Sequence, residues 1–226
     1  APDPEIDLQR PPSLFAGTPI RDASWTKVAP VPSGAPVADN GWEVDRWTVE
    51  DGLPTDRIRT LHLGGDGYLW IGTSQGLARF DGRRFAIFDH RSTEGLARVG
   101  SDIRALSESP DGTLWIATSG GVAIRRAGHW SEPITPEGTS LTRCDAIHAS
   151  PDGGAWVGTR AGLWRIQGDH ASPVRDISGL PQGHVAQVLE WNPDSLWVVV
   201  FPDLFFVNLR ARTAHHVPHV SGNIRD

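Results

Sequence analysis

The chain has 226 residues, 38% of them hydrophobic, which supplies a buried core and rules out wholesale disorder. A net charge of -6 disfavours a binder of duplex DNA, which needs a basic face against the phosphates, and a single cysteine, Cys144, allows no internal disulfide and no multi-cysteine zinc site. The most apolar run, Leu196 to Val207, is interrupted by Pro202 and Asp203, so no segment reaches the roughly 20 apolar residues of a membrane helix.

Residues 1–40 contain eight of the 18 prolines and little hydrophobic period, so they read as an extended arm rather than a domain. The chain has no methionine and opens Ala1-Pro2-Asp3-Pro4, which fits a mature end left by a secretory peptidase, and export is expected. Trp42 to Thr48 reads as the outer strand of a blade whose inner strands lie elsewhere. From there the texture is short strands of β-branched and aromatic residues between glycines, with no helical period.

Four internal repeats organise this part. The first contains Asp66-Gly67-Tyr68-Leu69-Trp70-Ile71-Gly72-Thr73, the second Asp111-Gly112-Thr113-Leu114-Trp115-Ile116-Ala117-Thr118, and the third Asp152-Gly153-Gly154-Ala155-Trp156-Val157-Gly158-Thr159. The fourth has decayed to Asp194-Ser195-Leu196-Trp197-Val198-Val199-Val200. The tryptophans are 45, 41 and 41 residues apart. Twelve residues before each stand Ile58, Ile103, Cys144 and Val185; nine before stand Leu61, Leu106, Ile147 and Val188; seven after stand Leu77, Val122, Leu163 and Leu204. Fixed offsets within a unit and variable lengths between units are what rigid strands and tolerant loops produce.

In the first unit the pattern predicts strands near 58–63, 68–73, 76–80 and 84–88, the first pair joined by an Asp-Gly turn with positive φ angles. Four antiparallel strands in a repeat of this length make a β-propeller blade, with the tryptophan between neighbouring blades. The fold expected is all-β, with an arm at 1–40 and a propeller segment at 41–226. Its blades are expected at about 56–90, 101–132, 142–176 and 183–218, with a further one starting at 223–226.

Three stretches carry a resemblance. Trp47-Thr48-Val49-Glu50-Asp51-Gly52-Leu53-Pro54, the Asp66 to Thr73 run and Gly76-Leu77-Ala78-Arg79-Phe80-Asp81-Gly82 resemble the two-component regulator propeller repeat, and the likeness extends over about residues 42–226. The resemblance implies a periplasmic or extracellular sensor, commonly of seven-bladed propellers, followed by a transmembrane helix and a histidine kinase or diguanylate cyclase module. On this reading the chain is an N-terminal part of such a sensor and its parent protein is membrane-anchored.

Several constellations have the residue types for chemistry. Gly72-Thr73-Ser74-Gln75-Gly76 matches a nucleophile elbow, but that motif requires a strand-turn-helix and here lies between two strands. The Asp66, Asp111 and Asp152 turns offer one carboxylate each, fewer than calcium requires, and read as hairpin structure together with Trp70, Trp115, Trp156 and Trp197. His215, His216 and His219 fall on a predicted outer strand and the loop after it, and Cys144 occupies an apolar repeat position. No catalytic residue, metal or cofactor is expected. Trp130, Trp164 and Trp191 lie outside the tryptophan register and are expected to cover blade edges or stack on sugars.

Binding is expected on the propeller face shared by the residues preceding each first strand and by the turns joining the second and third strands. The former are Arg57, Asp102, Arg143 and His184; the latter are Gln75, Ser119, Arg160 and Phe201. Of these, Arg57, Gln75, Asp102, Arg143, Arg160 and His184 are the ligand-binding candidates, the arginines being suited to a carboxylate, a phosphate or sugar hydroxyls. The reading is a non-enzymatic extracytoplasmic sensor that binds a small polar ligand or oligosaccharide, signals through a homodimer and does not bind nucleic acid. The alternatives are a secreted scaffold for protein or carbohydrate binding, and a propeller lyase or hydrolase using His184 with an arginine, which in the sequence has no carboxylate beside it.

Overall fold

A computed structural model describes residues 24–26, 45–137, 139 and 141–218. The first blade is β2 (Ile58–Leu63), β3 (Leu69–Thr73), β4 (Leu77–Phe80) and β5 (Phe85–Phe88), with β1 (Ser24–Thr26) added outside β5. The second is β6 (Ile103–Glu108), β7 (Leu114–Thr118), β8 (Val122–Arg126) and β9 (His129–Ser131). The third is β10 (Cys144–Ala149), β11 (Ala155–Thr159), β12 (Gly162–Gln167) and β13 (His170–Pro173). The fourth is β14 (Val185–Asn192), β15 (Ser195–Val200), β16 (Asp203–Asn208) and β17 (Thr213–Val217). Each is an antiparallel meander, and the first strands β2, β6, β10 and β14 stand side by side along the inner edge. The fold is an all-β arrangement of propeller blades.

The turns joining the first and second strands show how Asp-Gly works. Only the glycines Gly67, Gly112 and Gly153 take positive φ, at 82°, 78° and 86°. The preceding aspartates act through their side chains: Asp66, Asp111 and Asp152 accept from the backbone N–H of Tyr68, Thr113 and Gly154 at 3.1, 2.9 and 3.0 Å. The expected pair of positive φ angles is therefore one glycine plus one carboxylate that closes the loop.

The tryptophans fill the gaps between blades. Trp70 packs with Ile103, Leu114 and Ile116 of the second blade, Trp115 with Cys144, Ile147 and Val157 of the third, and Trp156 with Val185, Val188 and Leu196 of the fourth. Removing one such ring from water contributes about 4–6 kcal/mol. Two residues further along, Gly72 allows the close approach, since a Cβ there would lie 2.7 Å from Ile103 Cγ2. Trp197 holds the same register but is only half-buried against Phe206, at a ring separation of 5.0 Å, because no described blade lies beyond it.

The opposite face of the first blade is covered by the segment before it. Thr48 and Asp51 form a capping box on a short 3-10 turn (Val49–Asp51), and Gly52 in the left-handed region redirects the chain so that Leu53 is buried. Trp47 packs edge-on against Phe80 and Phe85, at 4.8 and 5.7 Å. Residues 45–48 form no strand, in contrast to the expected outer strand at 42–48, and Trp42 lies outside the described residues. The predicted further blade at 223–226 and His219 also lie outside them.

Of the tryptophans outside the register, Trp164 differs from expectation. Trp164 is core, 7% exposed and packed with Trp115, because a large ring fits where the first two blades have alanine. Trp130 packs on Phe88 between the first two blades, and Trp191 stands 68% exposed at the end of β14. Two short helical turns, Val49–Asp51 and Glu94–Ala97 (α1), are the described helical elements; each is a single turn too short to show a period.

Candidate functional site

The residues preceding each first strand and the turns joining the second and third strands share one rim, tied together by backbone bonds. Ser119 N–H donates to the carbonyl of Asp102 at 3.2 Å, Arg160 to that of Arg143 at 3.3 Å, and Phe201 to that of His184 at 2.8 Å. Arg143 N–H in turn donates to the Ser119 carbonyl at 2.9 Å, which joins the second blade to the third. Arg57, Gln75, Arg143 and Arg160 are exposed on this rim, while Asp102 and His184 are half-buried.

The structure adds three charged residues that the sequence reading missed. Every first strand carries a β-bulge at the same place, between Ile58 and Thr60, Ile103 and Ala105, Cys144 and Ala146, and Val185 and Gln187. The extra residues are Arg59, Arg104, Asp145 and Ala186. A bulge re-aims its side chain out of the strand's alternation, and here it delivers charge to the rim.

These residues form an ion ladder across the blades. Arg59 Nε lies 3.0 Å from Asp102 Oδ1, Arg104 reaches Asp102 Oδ2 at 3.2 Å, and Arg104 also donates to Asp145. Asp145 Oδ2 lies 2.9 Å from His184 Nε2 and 3.7 Å from Arg160 Nε. Ion pairs therefore bridge the first two blade junctions, Arg59 to Asp102 and Arg104 to Asp145, and at the third His184 meets Asp145. Burial works against the Arg104 charge, but Asp145 and Asp102 outweigh it and hold its pKa above the usual arginine value. The Arg59–Asp102 and His184–Asp145 contacts are close but fall outside hydrogen-bonding angles, so these buried atoms keep capacity for another partner.

A carboxylate does stand beside His184, contrary to the sequence reading, because the bulge turns Asp145 toward it. The other candidates are plainly structural in their surroundings. Ser74 sits in a strand-to-strand turn, and Cys144 is a buried free thiol pushed up to about 12, chiefly by burial and also by Asp145. His216 lies 3.4 Å from Asp203 on the outer part of the fourth blade.

The profile of the two component regulator propeller family matches residues 52–75 and 98–120, which cover the first two strands of the first and second blades and the segment leading into each. The first two blades carry two component regulator propeller repeats. This propeller is similar, at 20% identity and a TM-score of 0.67, to the extracellular domain of a protein described as a hybrid two component system of B. thetaiotaomicron, over 77% of this chain and 26% of that one. A second B. thetaiotaomicron extracellular domain, described as that of a one component system, gives 19% identity and a TM-score of 0.58 over 71% and 25% of the two chains. Virginiamycin B lyase from Staphylococcus aureus gives 13% identity and a TM-score of 0.61 over 82% and 62%. At these identities the likeness is one of fold, and the chain spans about a quarter of the two Bacteroides domains. No curated protein matches the chain. No helix among the described residues is long and apolar enough to cross a membrane.

Proposed function

We propose that the propeller is the ligand-binding part of an extracellular or periplasmic sensor, non-catalytic in itself, which takes a small polar ligand or oligosaccharide at the rim carrying the ion ladder. The observation that carries this reading is the rim's charge. Its twelve positions, those preceding the first strands, the bulges and the turns, hold five arginines against two aspartates, although the whole chain has a net charge of -6. The likeness to extracellular domains of two component systems supports a signalling context. In a longer protein the output would be a histidine kinase or diguanylate cyclase, reached through a ligand-biased homodimer.

The test is a thermal-shift screen of the chain against small polar compounds and oligosaccharides. Stabilisation that is lost in Arg143→Gln plus Arg160→Gln supports the reading, and no shift across the whole panel counts against it. Capture of a protein partner through the same arginines, with no small-molecule shift, would favour a scaffold.

A lyase or hydrolase is favoured only by the His184–Asp145 pair with Arg160 beside it. Activity on pectin-like substrates that disappeared in His184→Ala would establish it, and activity that survived that substitution would remove it.

A further inference from the structure

The rim is chemically two-sided at its junction between the third and fourth blades. Arg143 and Arg160 are neighbours through their backbone bond, and neither guanidinium donates a hydrogen bond among the described residues. Arg160 leans on Asp145 only at 3.7 Å and is 56% exposed, while Asp145 Oδ1 accepts from Arg104 and Oδ2 lies beside His184. Cationic charge on this side is thus in excess.

On the other side of Asp145 the fourth blade breaks the ladder. Its bulge residue is Ala186, which has no charge to offer, and its turn carries Phe201, 70% exposed, where the other blades have Gln75, Ser119 and Arg160. Phe201 is anchored through its N–H to the His184 carbonyl, and its ring centre lies 6.2 Å from the His184 ring. An aromatic ring on a turn, covering no core, presents a flat apolar face to whatever enters. The sequence Arg143, Arg160, Asp145, His184, Phe201 is continuous in space through the distances above.

We infer that this junction binds a ring-bearing carboxylate, with the acid group on Arg160 and Arg143 and the ring laid over Phe201. The inference rests on the rim being the binding site and adds the class of ligand. Arginine's fork matches a carboxylate in two hydrogen bonds, and a sugar or aromatic ring has the apolar face that stacks on phenylalanine. A uronic acid and an aromatic acid share this chemistry.

The experiment is a protein-observed NMR titration of the full chain with galacturonate, galactose, benzoate and acetate, repeated at raised salt. Galacturonate or benzoate is expected to bind more tightly than galactose and acetate, with weaker binding at high salt. Comparison of galacturonate with benzoate decides between a sugar acid and an aromatic acid. Arg160→Ala should lower the affinity about tenfold or more, and Phe201→Ala about two- to tenfold. Both side chains are exposed, so an unchanged backbone spectrum away from the rim shows that the variants are folded. Galactose binding at the rim as well as galacturonate, with Arg160→Ala silent, would overturn the acid assignment and leave the rim as a binding site. No binding by any of the four probes would overturn the assignment, and the wider thermal-shift panel then decides separately whether the rim binds anything.

Discussion

Trp115 and Trp197 hold the same place in the repeat, yet replacing them should have very different consequences. Trp115 is fully buried between the second and third blades, and its indole N–H donates to Ser109 Oγ at 2.7 Å. Trp115→Ala removes the ring from a packed gap at about 3–5 kcal/mol and leaves the buried Ser109 hydroxyl unpaired at about 1 kcal/mol more. Trp197 has one neighbour ring, Phe206, and a half-exposed surface, so Trp197→Ala should cost about 1–2 kcal/mol. The difference, about 3 kcal/mol, corresponds to a separation of about 1–2 M in the urea midpoints followed by far-UV circular dichroism. Trp115→Phe, which keeps a six-membered ring but loses the pyrrole part of the indole with its N–H, should fall between the two. Equal costs for Trp115→Ala and Trp197→Ala would refute the account in which the ring matters through the next blade, and would place its contribution within its own sheet.

Three further outcomes are expected. Arg104→Ala removes the bridge between Asp102 and Asp145 and leaves two part-buried carboxylates without their shared donor, so it should destabilise by about 1–3 kcal/mol, whereas unchanged thermal unfolding would show the ladder to be energetically idle. The Arg165 guanidinium, partly opposed by burial and assisted by the Gly154 N–H, holds the Asp152 carboxyl down at about 2. Its folded pKa is below the unfolded value, so its stabilisation is complete above about pH 5 and is lost as pH falls through about 2. With Asp152 half-exposed, Asp152→Asn should cost under about 1 kcal/mol at neutral pH and lose that cost as pH falls below about 2, and a cost that persisted at the acid end would contradict this cause. Cys144 should resist a thiol reagent at mildly alkaline pH in the folded chain and react once it is unfolded, so modification of the native protein at the denatured rate would refute its burial.

Much of the fold was legible because the repeat acts as its own control. One Asp-Gly-Tyr-Leu-Trp segment could be many things, but four tryptophan-centred segments with fixed offsets to Ile58, Leu61 and Leu77 and their counterparts specify strands of fixed length at fixed spacing. The half-buried state of Trp197 was not legible, because exposure depends on which blade lies next to the ring and not on the ring's place in its own strand. Trp164 was misplaced for a related reason. Its position is alanine in the first two blades, and only the packing of the third shows that the gap beside Trp115 accepts a second indole.

The candidate site was half legible, and the missing half has one physical cause. Strict strand alternation places Ile58, Thr60 and His62 on one face and Arg59 and Leu61 on the other, which makes Arg59 an ordinary surface charge. A bulge cancels that rule for one residue, and its partner strand shows it only through the register. The signal lay eleven residues before each tryptophan, where Arg59, Arg104, Asp145 and Ala186 recur directly after an apolar position. Their charge varies while their place does not, which a core position would not permit and a simple surface position would not require. Three of them form the ladder, and the fourth, being alanine, ends it next to Phe201. The blade that contributes no charge at its bulge therefore supplies the aromatic face, and the rim's chemistry changes at that single substitution within the repeat.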